Sequence, residues 1–151
     1  MPYPNGILNL REPNKFIIPS SMRPYQYLTE FDPASKKLNI LSKIPIGMPG
    51  DNDGQAANGD VYVTAFPHLH ATGEVLTKPN APGVNAPSAV FRIPAEDIAM
   101  KGKNGWHVEK VFEDDGRAGN MQTISVVDVQ TKKLYIAGER TSTGSILFGR
   151  S

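Results

Sequence analysis

Cysteine is absent from this chain of 151 residues, which excludes disulfide bonds, thiolate nucleophiles and cysteine metal sites. The chain also lacks an excess of charge of one sign: 16 Lys and Arg are balanced by 15 Asp and Glu, and both kinds are scattered along the chain. This balance argues against nucleic-acid binding, which needs a concentrated basic surface. No hydrophobic run approaches the roughly 20 residues of a membrane-spanning helix, and the first residues do not resemble a signal peptide. The sequence predicts a soluble chain and does not indicate a cellular compartment.

Glycine and proline are frequent, with 14 and 13 copies, and they separate short segments rich in Val, Ile, Tyr and Phe. Many of these segments alternate large and polar residues, the pattern of a half-buried strand. This combination favours an all-β fold. The predicted strands cover residues 25–31, 36–44, 60–66, 88–93, 106–112, 123–129, 133–137 and 145–148.

Two segments interrupt this pattern. Residues 67–87 contain four prolines and two glycines, so we expect a long loop inserted between strands. Residues 94–101 begin with proline, carry acids early and lysine late, and precede Gly102. That order predicts one or two helical turns, the only helix expected.

A weak internal repeat bears on the architecture. Residues 59–65 and 132–138 share the order turn, strand, small residue, and Val61 lies 73 residues before Leu134 (134 − 61). Subtracting an insertion of roughly 20 residues leaves about the 40 to 50 residues of one propeller blade. Closed propellers have about four to eight blades, and this length allows about three. We therefore expect residues 1–151 to form one incomplete β-propeller domain of about two and a half to three blades.

Two motifs carry a resemblance to a known family. Pro4-Asn5-Gly6-Ile7, and Gly47-Met48-Pro49-Gly50-Asp51-Asn52 followed by Gly59-Asp60-Val61-Tyr62-Val63, resemble the later blades of serum paraoxonase/arylesterase proteins. These proteins are relatives of the senescence-marker and gluconolactonase group of calcium-dependent phosphotriesterases. The resemblance implies a six-bladed β-propeller with calcium in its central tunnel, and hydrolysis of lactones and aryl or phosphate esters. It also implies that this chain corresponds to the C-terminal part of such a protein.

The resemblance further implies three calcium ligands. In the family an Asn-Gly-Ile element supplies one asparagine and a later Asp-Asn pair supplies two more ligands, which places Asn5, Asp51 and Asn52 in these roles. Carboxylate and amide oxygens are what Ca²⁺ collects, in numbers of about six to eight. The family's catalytic histidine dyad lies in its N-terminal blades, so no catalytic residue is assigned. Where the family continues with apolar residues, this chain has Asp53.

Each motif also has a simpler interpretation. Residues 51–54 suit an ordinary polar turn, as does Asn5-Gly6, because Asp, Asn and Gly dominate turns. The pattern argues against an EF-hand, since glycine falls at position four, counting Asp51 as position one, instead of position six. His68, His70 and His107 fit exposed or hydrogen-bonded positions better than a metal site.

Two functional hypotheses follow. The first is a calcium-dependent lactonase or arylesterase acting on a small-molecule ester or lactone, inactive or weakly active as this chain alone. The second is a non-catalytic β-sheet module that binds a partner, or associates with copies of itself, through open blade edges.

Overall fold

The computed structural model describes residues 1–78, 81–138 and 146–149, the last as backbone only. The described part is mostly β-strand, which confirms the predicted all-β class. Its strands form three antiparallel sheets that follow one another along the chain. None of the helices in the described ranges is long and apolar enough to cross a membrane.

The first sheet contains four strands in chain order. They are β1 (Leu8–Asn9), β2 (Lys15–Ile18), β3 (Tyr25–Asp32) and β4 (Lys37–Pro45). β3 and β4 form the predicted hairpin, with Asp32 paired with Lys37 at its end. The turn contains Lys36 at a φ of 56°. Sequence patterns missed β1 and β2, because β1 is only two residues long and β2 is short and lacks clear alternation.

The second sheet also has four strands in chain order. They are β5 (Gly50–Gln55), β6 (Val61–Ala65), β7 (Ser88–Ile93) and β8 (Glu109–Asp114). Every residue of β6 is buried, since sheets cover both of its faces. The turn before β6 ends at Gly59, whose φ of 92° suits glycine and which donates its N–H to Ala56 at 2.9 Å. The predicted turn at Asn58-Gly59 is thus confirmed.

The third sheet has three described strands: β9 (Gln122–Asp128), β10 (Lys133–Gly138) and β11 (Ile146–Gly149). β6 and β10, the two copies of the internal repeat, are each the second strand of their sheet, paired with the strand just before. β8 begins at Glu109, three residues later than predicted, because Trp106 and Val108 pack beside the first core instead of joining the sheet.

The predicted loop over 67–87 is wrong for its first half. Residues Leu69–Thr77 form a helix, α1, in addition to the predicted helix α2 (Ala95–Ala99). Proline lies at 67 and next at 79, so the intervening backbone keeps all its N–H donors and can form helical turns. Thr72 and Val75, three positions apart, provide its buried side.

Two interfaces hold the sheets together. The first and second sheets enclose the largest apolar core, which includes Ile17, Leu28, Ile44, Val61 and Val63. The second and third sheets enclose a smaller one around Tyr62, Val90 and Ile136. We call these the first and second sheet interfaces. β5, the first strand of its sheet, also contacts β1 and β9, the first strands of the sheets on either side.

Candidate functional site

A β-bulge places the side chains of the predicted site. Gly50 pairs with Ala65 and Asp53 with Val63, so three steps along β5 match only two along β6. The extra residue falls at Asp51-Asn52. A bulge of this kind bends the strand and redirects its side chains, and bulges are common beside functional sites.

The three residues assigned from the resemblance meet at one oxygen atom. Asn5 Nδ2 donates to Asp51 Oδ1 at 2.7 Å, although the two residues are 46 positions apart. Asn52 Nδ2 donates to the same oxygen at 3.0 Å. Asp51 is only 7% exposed. The fold therefore brings Asn5, Asp51 and Asn52 into one cluster, while their role as calcium ligands stays a prediction.

Neighbouring segments fix this cluster in place. The backbone N–H of Asn5 donates to Pro19 O at 3.1 Å, and Asn52 Nδ2 donates to Thr123 O on β9 at 3.1 Å. Gly6 has a φ of 70°, and a Cβ there would lie 2.9 Å from Asn52 Oδ1. Glycine is thus required twice, by the left-handed backbone and by the close approach. Elements from all three sheets contribute to the site.

A cleft of about 440 Å³ opens above the cluster. The larger residues of its walls are apolar, namely Met22, Phe66, Leu69, Leu76 and Met121. Leu69 and Leu76 come from α1, which is packed on the sheets through Phe66, Val75, Ala86 and Met121. Among the described residues that line the cleft there is no lysine or arginine. Such a cleft suits a neutral or apolar group next to a polar floor.

The α1 wall is the part of the site that the sequence analysis missed. The usable signal was the proline-free stretch from 68 to 78, with large apolar residues at 69, 75 and 76. The density of proline on either side concealed it.

Asp53 lies beside the cluster but turns towards the first sheet. Its carboxylate oxygens are buried, and neither has a hydrogen-bond partner of normal geometry; the same holds for both amide atoms of the fully buried Gln26. Burial raises the pKa of Asp53 to about 8, an effect that nearby Gln26 opposes and the charge of Asp51 reinforces. At neutral pH the carboxyl is therefore mostly protonated, a form that can both donate to and accept from an amide.

The histidines are exposed and are not among the residues that line the cleft. His68 and His70 are exposed at the start of α1. His107 is also exposed, and its Nδ1 lies 3.2 Å from Asp97 Oδ1. Within the described ranges, no three or more His, Cys, Asp or Glu side chains group so as to hold a metal. The Asn5–Asp51–Asn52 cluster has a different composition, one carboxylate and two amides.

Comparison with known proteins finds neither a protein-family model nor a curated protein that matches this chain. The resemblance to paraoxonases and arylesterases therefore depends on the quoted motifs, and it stays a prediction.

Proposed function

We propose that this chain is part of a calcium-dependent β-propeller hydrolase of the paraoxonase/arylesterase kind, acting on a lactone or aryl ester. The observation that carries the proposal is the meeting of Asn5, Asn52 and Asp51 at one carboxylate oxygen. Two ordinary polar turns separated by 46 residues would have no reason to share a hydrogen-bonded cluster.

The sheet arrangement supports the propeller in this proposal. Each sheet is an antiparallel meander in chain order, and the first strands of the sheets are neighbours, with β5 between β1 and β9. Propeller blades are meanders of this kind, arranged around an axis with their first strands innermost. The three sheets would be successive blades of a six-bladed ring, and the cluster would lie at its central end.

The donor chemistry of the cluster fits calcium in kind. Asp51 supplies a carboxylate, and the two asparagines supply amide oxygens, which are all hard ligands. Both amide nitrogens now face Asp51. A half-turn about either Cβ–Cγ bond would place the amide oxygen there instead. The three side chains offer about three or four of the six to eight oxygens that Ca²⁺ takes, so water or further groups would complete the shell.

When bound, calcium would supply a Lewis acid that stabilises the oxyanion formed as water attacks a carbonyl. The cleft walls would bind the apolar part of the substrate and keep bulk water away from it. Because no cationic side chain is among the described lining residues, a neutral ester or lactone fits this cleft better than a phosphate anion. No residue of the chain is assigned as a general base.

Calcium binding by the purified chain, measured by isothermal titration calorimetry, tests the proposal. We expect binding at millimolar calcium or tighter, and a loss of about tenfold or more in Asp51→Asn, which removes the only carboxylate of the cluster. Asp115→Asn is the matched control, because Asp115 is an exposed carboxylate that pairs with Arg117 away from the cluster. Hydrolysis of phenyl acetate, with and without a chelator, is measured in parallel. Absence of calcium binding at millimolar concentration would contradict the proposal.

A different observation favours the second hypothesis, self-association. Ile124, Val126 and Tyr135 are 41%, 56% and 38% exposed on the face of the third sheet that points away from the second. Val126 and Tyr135 are cross-strand partners, so their side chains form one apolar patch. Light scattering tests this hypothesis: association that Val126→Lys abolishes supports it, and a monomer at working concentration contradicts it.

A further inference from the structure

The second sheet interface contains a cavity that the proposed calcium site does not use. Its volume is about 680 Å³, and it lies between β8 of the second sheet and the β9–β10 hairpin of the third. Val111 and Phe112 line one side, and Val127, Val129 and Leu134 line the other. All five are partly buried apolar side chains that pack beside the small core of this interface.

The charged groups around the cavity are unevenly distributed. On the second-sheet side Arg92 Nε donates to the buried Asp60 Oδ2 at 2.7 Å, and Arg92 also faces Glu109 at 3.5 Å. Although burial of Asp60 opposes its ionisation, hydrogen bonds from the Ala95 N–H and from Arg92 bring its pKa below the ordinary value. Arg92 and Asp60 therefore compensate each other.

On the third-sheet side Lys132 and Lys133 line the cavity, and Asp60, the one acid among the described lining residues, pairs with Arg92 instead. The nearest acid on the adjacent strand is Asp128, which pairs with Lys133 across β9 and β10. Its carboxylate accepts hydrogen bonds from the Thr131 hydroxyl and from the N–H groups of Gln130 and Thr131, which lower its pKa, and the charge of Lys133 adds a smaller lowering. Asp128 therefore offsets Lys133 in part and leaves Lys132 uncompensated by it. The net charge of the described lining residues is +2, from Arg92, Lys132 and Lys133 against Asp60.

We propose that this cavity binds a small amphipathic monocarboxylate. Its hydrocarbon chain would lie between Phe112 and Leu134, and its carboxylate would pair with Lys132 and Lys133. The volume is within the range of about 300 to 1,000 Å³ typical of small-molecule sites. The apolar side chains of the walls lack van der Waals partners across the open space, so an apolar ligand should bind there. The lysines should favour a ligand with a negatively charged head group. This inference does not depend on the calcium site.

Titration with octanoate, followed by NMR of the methyl groups of Val, Leu and Ile, tests the proposal. We expect saturable shifts centred on Val111, Val127, Val129 and Leu134. Octanamide has the same chain without the charge, and we expect it to bind about fivefold more weakly or worse. Equal affinity for the two compounds would overturn the proposal, as would shifts centred on Leu69 and Leu76 of the other cleft.

Charge-reversal variants locate the head group. Lys132→Glu and Lys133→Glu should each weaken octanoate binding by about fivefold or more and leave octanamide binding unchanged. Lys37→Glu, an equivalent reversal at the exposed start of β4 in the first sheet, is the control and should change neither affinity. Asp51→Asn should also leave octanoate binding intact, so this test and the calcium test fail independently. Unchanged octanoate affinity in both lysine variants would overturn the proposal.

Discussion

The two sheet interfaces of this protein use the same strand pattern and reach very different degrees of burial. In the first, Leu28, Ile44 and Val61 are fully buried. In the second, Val90 and Ile136 form a small buried core, while Val111 and Leu134 beside it are only partly buried and line a cavity. Because apolar burial is the main source of stability, the first interface should hold the fold together. The second, with its smaller core and its cavity, should contribute less.

The largest expected difference between the interfaces is in the cost of losing a side chain. Leu28→Ala removes a fully buried side chain from the first and should lower the free energy of unfolding by about 2–5 kcal/mol. Val127→Ala removes a partly buried one from the second and should cost about 1 kcal/mol or less. Urea denaturation measures both. Equal losses would show that the interfaces contribute alike.

Ionisation of the buried Asp53 should lower the free energy of unfolding as the pH rises. Its pKa is about 8 in the fold and near 3.8 when unfolded, so the fold binds the proton more tightly. The contribution of this carboxyl is complete below about pH 4 and is lost as the pH rises towards about 8. Asp53→Asn should therefore flatten the dependence of stability on pH and stabilise the protein at pH 8 by about 2 kcal/mol or more.

Thermal unfolding between pH 5 and pH 9 in a chelating buffer checks this expectation. The exposed carboxylate variant Asp115→Asn is the control and should keep the wild-type pH dependence. An Asp53→Asn curve parallel to the wild type would show that Asp53 is ionised in the folded protein.

Two glycines differ in the space around them: Gly54 is tightly packed at the second sheet interface, and Gly73 lies at the open cleft. A Cβ at Gly54 would lie 2.7 Å from the backbone oxygen of Ser125 on β9, whereas one at Gly73 in α1 would contact nothing within 4 Å. Gly54→Ala should therefore force β5 and β9 apart and destabilise the fold by about 1–3 kcal/mol. Gly73→Ala should stabilise it by about 0.5–1 kcal/mol through helix propensity. Shifts of the urea midpoint in the same direction for both variants would contradict this interpretation of the packing.

Sequence patterns predicted the elements whose own residues dictate their structure. β3, β6 and β7 alternate or are continuously apolar between clear turns, and α2 has a proline start and acidic first turn. β5 was beyond such patterns, since its residues Gly50–Gln55 have low β propensity. It becomes a strand because β6 pairs with it and β9 packs against it.

The candidate site divides in the same way. Short motifs were enough to select Asn5, Asp51 and Asn52. Their contact with one another depends on a β-bulge, which cannot be predicted from local composition. The same bulge sends Asp53 into the interior, although neighbouring polar residues in sequence suggest a shared exposed turn. The α1 wall was missed because the flanking prolines make the whole segment look like a loop. They do not prevent a helix in the residues between them.

The most direct measurement is a double-mutant cycle on calcium affinity with Asn5→Ala, Asp51→Asn and their combination. If both side chains bind the same ion, the losses should be strongly non-additive, with the double variant little worse than Asp51→Asn alone. Independent, additive losses, or a wild-type chain that binds no calcium, would contradict the account.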